Sequence, residues 1–307
     1  MAFVYSIKLP GFNKEVWVKE ITCRSYKDLI KSLYNKDDSS FIIHSNNLVE
    51  QIAPGLLQGG LNIIDKIILL VNARAVSINP DLKLKAICST TKNEFEYNIA
   101  LDDIFHKLSD IHYSHQTTIK GITVTHSIAK AKDEMYFLEQ DIERLFIYQL
   151  ASCIDKIETN DQSLHFNTLD FKSRCEIVEN LPMETTTGVF KFLTVFEESL
   201  SKHKLLFVKS PFTEDVVVDV ALSVDINMLR SFCKLLFTDD LNNIYRLCLN
   251  LVTDLGFTGE YVENMPPAEM YLYWAIHLQK EKQREDATKS VNNDNTPRFQ
   301  GVPADVI

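Results

Sequence analysis

Four histidines, His106, His112, His115 and His126, fall close together in the chain, with Asp102, Asp103 and Asp110 among them as oxygen donors. His112 and His115 are three apart, a spacing that sets two imidazoles on one face of a helix. Imidazole nitrogens plus a carboxylate are the raw material of a metal-dependent hydrolase, in which the ion activates a bound water. The signature is incomplete, because neither HExxH nor paired-cysteine spacing is present. Periodicity assigns these histidines to a helix, a loop and a strand. Their plain structural reading is as solvated or hydrogen-bonded side chains.

Other chemistry is equally thin. Cys23, Cys88, Cys153, Cys175, Cys233 and Cys248 form no CxxC pair. Cys153, Cys233 and Cys248 fall on or beside apolar helical stripes, as buried free thiols of a reducing compartment do. Glu197-Glu198 and Asp239-Asp240 are neighbours in sequence only, since adjacent helical positions point apart. There is no GxSxG elbow, Walker A loop or GxGxxG turn. The one glycine cluster, Pro54 to Gly60, reads as a loop leading into a helix rather than as an anion cradle. No catalytic, cofactor-binding or metal-binding residue is predicted, and the chain reads as non-enzymatic.

The elements around these residues follow from hydrophobic period. Phe3 to Leu9 alternates, Pro10-Gly11 turns, and Val16 to Ile21 alternates again, which predicts a hairpin. Helices are expected near Tyr26–Leu33 and over Phe41–Ile52. Leu61–Val76, with Ile64, Ile67, Ile68, Val71 and Ala75 on one face and Ile63 and Leu70 widening it, is expected to lie at the centre of its domain. Arg74 near its end reads as a helix-dipole partner or a snorkelled surface residue. Leu82–Cys88 and Phe95–Ala100 read as strands, Asp102–Leu108 as a short helix, and Ile119–Ile128 as a strand with Gly121 at a bulge. Tyr136–Ile157 reads as one helix, followed by helices over Thr168–Leu181 and Thr186–Leu200. Leu205–Val208 and Val216–Leu222 read as a late hairpin.

From Asp225 to Glu285 the pattern is three amphipathic helices. Ile226, Leu229, Cys233 and Leu236 make one stripe, and Leu241, Ile244, Cys248, Leu251 and Leu255 the next. Asp225 is the N-cap of the first, Thr238 to Asp240 mark the break, and Gly256 or Gly259 ends the second. Met270, Trp274 and Leu278 stripe the third, and Lys280 to Asp286 is its charged, solvated end. The fold class is therefore α+β. A strand-containing mixed domain spans 1–135, and a mainly helical domain with a hairpin near 204–222 spans 136–286. Residues 287–307 are expected to be a disordered or docking tail.

Lys plus Arg number 32 against 42 Asp plus Glu, a formal charge of −10. That balance argues against a protein that tracks nucleic-acid phosphates. The nine glycines are a low share and weaken any phosphate-loop reading further. No apolar run reaches the ~20 residues of a membrane span, and MAFVYSIKLPGF lacks the basic region and apolar core of a signal peptide.

The segments KLLFTDDLNNIYRL and GFTGEYVENMPPAEMYLYWAIHLQKE resemble the carboxy-terminal region of the T4-type bacteriophage baseplate hub assembly proteins. VWVKEITCRSYKDLIKSLYN and LNIIDKIILLVNARAVSI resemble that family's amino-terminal segments, and FKSRCEIVENLP its middle. The resemblance implies a role in building the central hub of a contractile-tail baseplate, as hub component or assembly chaperone. It implies other tail and hub proteins as partners, in the cytoplasm of the infected host during assembly and in the virion if the protein is retained. It brings no catalytic residue and no cofactor. The candidate partner surface is Phe257, Tyr261, Met265, Pro266, Pro267, Glu269, Met270, Tyr271 and Trp274, where aromatic, Met and Pro residues mix with charge; its structural alternative is packing within the chain. Two other readings stay open: a non-viral helical adaptor, and the metal-dependent hydrolase centred on His106–His126.

Overall fold

The structure is a computed structural model describing residues 4–294, except 13, 36, 110, 112, 113 and 238–240. Strands β1 (Val4–Leu9) and β2 (Lys14–Lys19) pair antiparallel, as alternation predicts. Three helices follow: α1 (Cys23–Tyr34), α2 (Asp38–Ile52) and α3 (Ile63–Ser77). Each starts at a side-chain cap, from Thr22, Asp37 and Asn62, whose oxygens accept amides of the opening turn.

Helix α3 is the axis of the molecule. Twelve of its fifteen residues are buried, each fully buried Ile or Leu contributing about 1.5–3 kcal/mol. Its polar residues are buried with partners. Asp65 accepts from the Gly11 amide at 3.2 Å and from Asn62 Nδ2 at 3.1 Å, so the turn of the first hairpin docks on the start of α3. Gly11 approaches so closely that a Cβ there would stand 2.2 Å from Asn62 Nδ2 and 2.3 Å from Asp65 Oδ2. Arg74 stands in the last turn of α3, where a cation complements the helix dipole, but it is not a snorkelled surface residue. It is buried, and its Nε donates to the Leu236 carbonyl at 2.8 Å, closing the end of a helix far along the chain.

Strands β3 (Asp81–Ile87) and β4 (Glu94–Ala100) form the second hairpin and lead into α4 (Leu101–Ser109). The strand expected over Ile119–Ile128 is instead half of a third hairpin, β5 (His115–Ile119) and β6 (Ile122–His126). Its turn residues Lys120 and Gly121 have φ of 52° and 80°, the doubly left-handed turn that matches strand twist. Gly121 is thus a hairpin turn, not a bulge.

The helix expected over Tyr136–Ile157 is also divided. A 3-10 segment covers Ala131–Leu138, and α5 spans Ile142–Cys153 behind an Asp141 cap. Residues Ile154–Glu158 then become β7, which joins β6 and β8 (Ser163–His165) in a four-stranded antiparallel sheet ordered β5-β6-β7-β8. Helices α6 (Phe171–Glu179) and α7 (Met183–Leu200) follow, with α7 laid against β5. The late hairpin is present as β9 (Lys204–Lys209) and β10 (Val216–Ala221).

Beyond it the expected three helices are four: α8 (Ile226–Leu236), α9 (Leu241–Thr253), α10 (Gly259–Asn264) and α11 (Pro267–Asp294). Asp225 caps α8 as expected, while Gly259 opens the short α10 instead of ending α9. Helix α11 continues past the boundary drawn at 287 as far as Asp294. The remainder of the expected tail, 295–307, lies outside the described residues, as do the break residues Thr238, Asp239 and Asp240.

The fold is mixed α+β, with its helices weighted toward the carboxyl end. One buried cluster runs from Ile7 to Met270 around α3 and takes in α8, α9 and the start of α11. A second, smaller one joins the four-stranded sheet to α5, α6 and α7, and Leu193 touches both. Among the described residues no helix is long and apolar enough to cross a membrane.

Candidate functional site

Two of the four histidines meet. His115 and His126 face each other across β5 and β6, their rings 5.6 Å apart. Phe192 of α7 stacks on His115 at 4.5 Å and meets His126 edge-on at 4.7 Å. The His126 ring is fully buried, with Nε2 2.9 Å from Thr117 Oγ1 and no partner on Nδ1. Burial, then the His115 ring, pushes its pKa down to about 4, so it packs as a neutral aromatic. His106 lies on α4 beside Phe105, with Asp102 and Asp103 in that helix's first turn. His112 and Asp110 lie outside the described residues. Among the described residues no three His, Cys, Asp or Glu side chains gather as ligands would. The arrangement is an aromatic lock between sheet and helix.

All six cysteines are buried and unpaired. Cys23 of α1 and Cys248 of α9 both direct their thiols at Met270 Sδ of α11, at 3.7 and 3.5 Å. Met270 is thereby the peg that fixes α11 to the body. Nearby, the Met265 carbonyl accepts the Cys23 amide at 2.9 Å, satisfying a donor at the start of α1. Buried Lys27 bonds Glu263, whose other oxygen lies 3.7 Å from Arg24.

These contacts divide the predicted partner surface in two. Met265, Pro267 and Met270 face inward and belong to the core. Phe257, Pro266, Glu269 and Trp274 are half-buried, Phe257 resting against Tyr261 and Tyr273 at 5.4 and 5.2 Å, and Trp274 stacking on His277. Tyr261 and Tyr271 are exposed.

More apolar surface lies just beyond the nine residues singled out. Leu272, Ile276 and Leu278 on α11 are 56, 41 and 52% exposed. Tyr245, Leu249 and Val252 on α9 are exposed as well, at i, i+4 and i+7. Leu278, expected on the inward stripe with Met270, is exposed instead, and the others were passed over because each helix was assigned a single apolar stripe. The signal was there: between Met270 and Leu278, α11 carries apolar side chains all round, which in a globular protein marks a helix covered on more than one side. Its packing partner within the chain is chiefly α9. The side chains exposed on this face are mainly apolar and aromatic.

A model of the family described as T4 bacteriophage base plate protein matches residues 2–202. It covers the segments around α1, α3 and α6 on which the resemblance rested, and it ends before the α8–α11 stretch. No curated protein and no solved structure matches the chain.

Proposed function

The chain belongs to the T4 bacteriophage base plate protein family, and from that membership we propose that it helps build the central hub of a contractile-tail baseplate. It acts without catalysis, by holding other tail proteins during assembly in the host cytoplasm. The observation that carries this reading is the uncovered apolar surface of α9 and α11, Leu249, Leu272, Ile276 and Leu278, at the end of a well-packed helical body. Exposed large aliphatics grouped on one pair of helices are a surface awaiting a protein partner. Phe257, Tyr261, Tyr271 and Trp274 are its aromatic component in this reading, while Met265, Pro267 and Met270 are buried in the body.

The test is reconstitution of the hub from co-expressed baseplate proteins with and without this chain, followed by sedimentation and electron microscopy. Wild type supports assembly, and Leu272→Asp/Ile276→Asp does not. Hub formation at the wild-type rate with that variant, or without the chain, overturns the proposal.

A further inference from the structure

Helices α5 and α7 turn stripes toward each other and touch through Phe146 and Phe190, leaving a recess on either side of that contact. On α5 the stripe is Ile142, Phe146 and Gln149, and on α7 it is Met183, Phe190 and Glu197. Phe146 and Phe190 meet at 5.0 Å midway along the seam. On one side of that contact lies a shallow groove ending at Ile142 and Met183, which are 82 and 81% exposed although they sit on facing stripes. On the other side the seam deepens into a cavity of about 460 Å³, floored by Ile63, Ile128, Leu193 and Leu229 at the junction of the two cores. That volume lies within the ~300–1,000 Å³ of ligand clefts.

The charge along the seam has one sign. Glu143 and Glu179 line the groove, Glu197 and Asp225 line the cavity, and neither lining includes a Lys or Arg. Among the described residues none of these four carboxylates is in an ion pair. Asp225 is occupied in capping α8, but the other three have no such duty. Burial and the nearby Asp225 push the Glu197 carboxyl upward, the response of an acid that lacks a cation. In the cavity wall Glu134 is 3% exposed; Oε2 takes Lys66 Nζ at 2.5 Å, while Oε1 has no hydrogen-bond partner.

We propose that the α5–α7 seam is a docking groove for a basic amphipathic helix of a partner protein, with apolar residues in the seam and Lys or Arg against Glu179 and Glu197. The α5 stripe from Ile142 to Cys153 spans roughly 17 Å at ~1.5 Å per residue, so about three turns of the partner fit. Anchors at i, i+3 or i+4, and i+7 meet the groove, as in other helix-in-groove complexes. The proposal rests on the reading that this chain works by holding proteins, and it adds a second surface built from residues other than those of α9 and α11.

The test uses the full chain and two fluorescent 14-residue amphipathic peptides of one design, one Leu/Lys and one Leu/Glu, followed by anisotropy. The Leu/Lys peptide is expected to bind at least tenfold more tightly than the Leu/Glu peptide. Glu179→Lys/Glu197→Lys is expected to weaken it at least tenfold. Glu94→Lys/Glu96→Lys, the same charge change on the exposed β4, is expected to shift it less than twofold. Ile142→Asp/Met183→Asp removes binding while thermal melts stay at wild type, since both side chains are exposed. Absence of Leu/Lys binding, equal binding of the two peptides, or equal weakening by the two charge reversals overturns the groove. Hub reconstitution separates this from the broader reading: normal assembly by Glu179→Lys/Glu197→Lys removes the groove and leaves the hub role standing.

Discussion

Arg174 grips Asp133 with two parallel hydrogen bonds, Nη1 to Oδ2 at 2.8 Å and Nη2 to Oδ1 at 2.7 Å, and both side chains are withdrawn from water. Nη1 also reaches the Ala151 carbonyl at 3.2 Å, and the guanidinium lies over the Phe171 ring at 4.9 Å. Two further pairs flank this one. Lys66 bonds Glu134 at 2.5 Å, and Lys130 bonds Asp155 at 2.7 Å. The few residues from Lys130 to Glu134 thus tie α3, α6 and β7 together through buried charge. Removing one partner of such a pair strands the other charge in the interior, so Arg174→Met is expected to lower stability by about 3–5 kcal/mol. Adding Asp133→Leu should return most of that loss, and Arg174→Lys should not, because lysine lacks the planar fork. Urea unfolding midpoints decide the matter; a single-mutant loss under ~1 kcal/mol would make the pair no more than a surface bridge.

The packing of the first hairpin on α3 has a sharper dependence. A Cβ at position 11 runs into the Asn62 cap and the Asp65 carboxylate together. Gly11→Ala must push the turn away and break the Gly11 amide bond to Asp65, at a cost of ~1–3 kcal/mol. The thermal midpoint should fall accordingly, and an unchanged midpoint would mean the turn is free to move.

His126 links stability to acidity. Its folded pKa, about 4, lies below the ordinary 6.5, so the folded state favours the neutral ring. The stability this contributes is present in full above the unfolded value. Below it the unfolded chain takes up a proton the folded chain refuses, and stability declines as pH falls from about 6.5 toward about 4. The loss by pH 4 is ~2–3 kcal/mol at 1.36 kcal/mol per pKa unit. His126→Phe should be less stable than wild type at pH 7, and the difference should shrink steadily down to pH 4. Denaturant titrations at pH 7, 5.5 and 4.5 measure it, and a pH-independent difference would place the ring in water.

Local pattern was enough for much of this fold because caps and stripes act within a few residues. Thr22, Asn62, Asp225 and Thr258 sit at helix starts because their oxygens reach amides two or three positions on. The Ile63–Ser77 helix announces its central place through apolar residues on nearly every side. What stayed hidden depends on distance along the chain. Arg174 and Asp133 are 41 residues apart, and Arg74 and Leu236 are 162 apart, so no window of periodicity joins them. Ile154–Glu158 continues an apolar helical period yet becomes a strand, because β6 and β8 offer it ladder partners. The meeting of His115 with His126 was hidden for a related reason. A hairpin turn at Lys120-Gly121 folds His126 back onto His115 and Phe192.

Substitutions two and six residues beyond Met270 on α11 should act differently from one at Met270 itself. Met270 is wholly buried between the Cys23 and Cys248 thiols. Met270→Ala empties that space and is expected to lower stability by about 2–5 kcal/mol, with faster amide exchange along α11 as the helix loosens from α1 and α9. Leu272 and Ile276 face solvent. Leu272→Asp/Ile276→Asp is expected to stay within ~0.5 kcal/mol of wild type, as surface changes do, while hub assembly is lost. Unfolding curves and hub reconstitution on the same preparations separate peg from partner face. If Leu272→Asp/Ile276→Asp unfolds as readily as Met270→Ala, those side chains pack within the chain and α11 has no face to offer another protein.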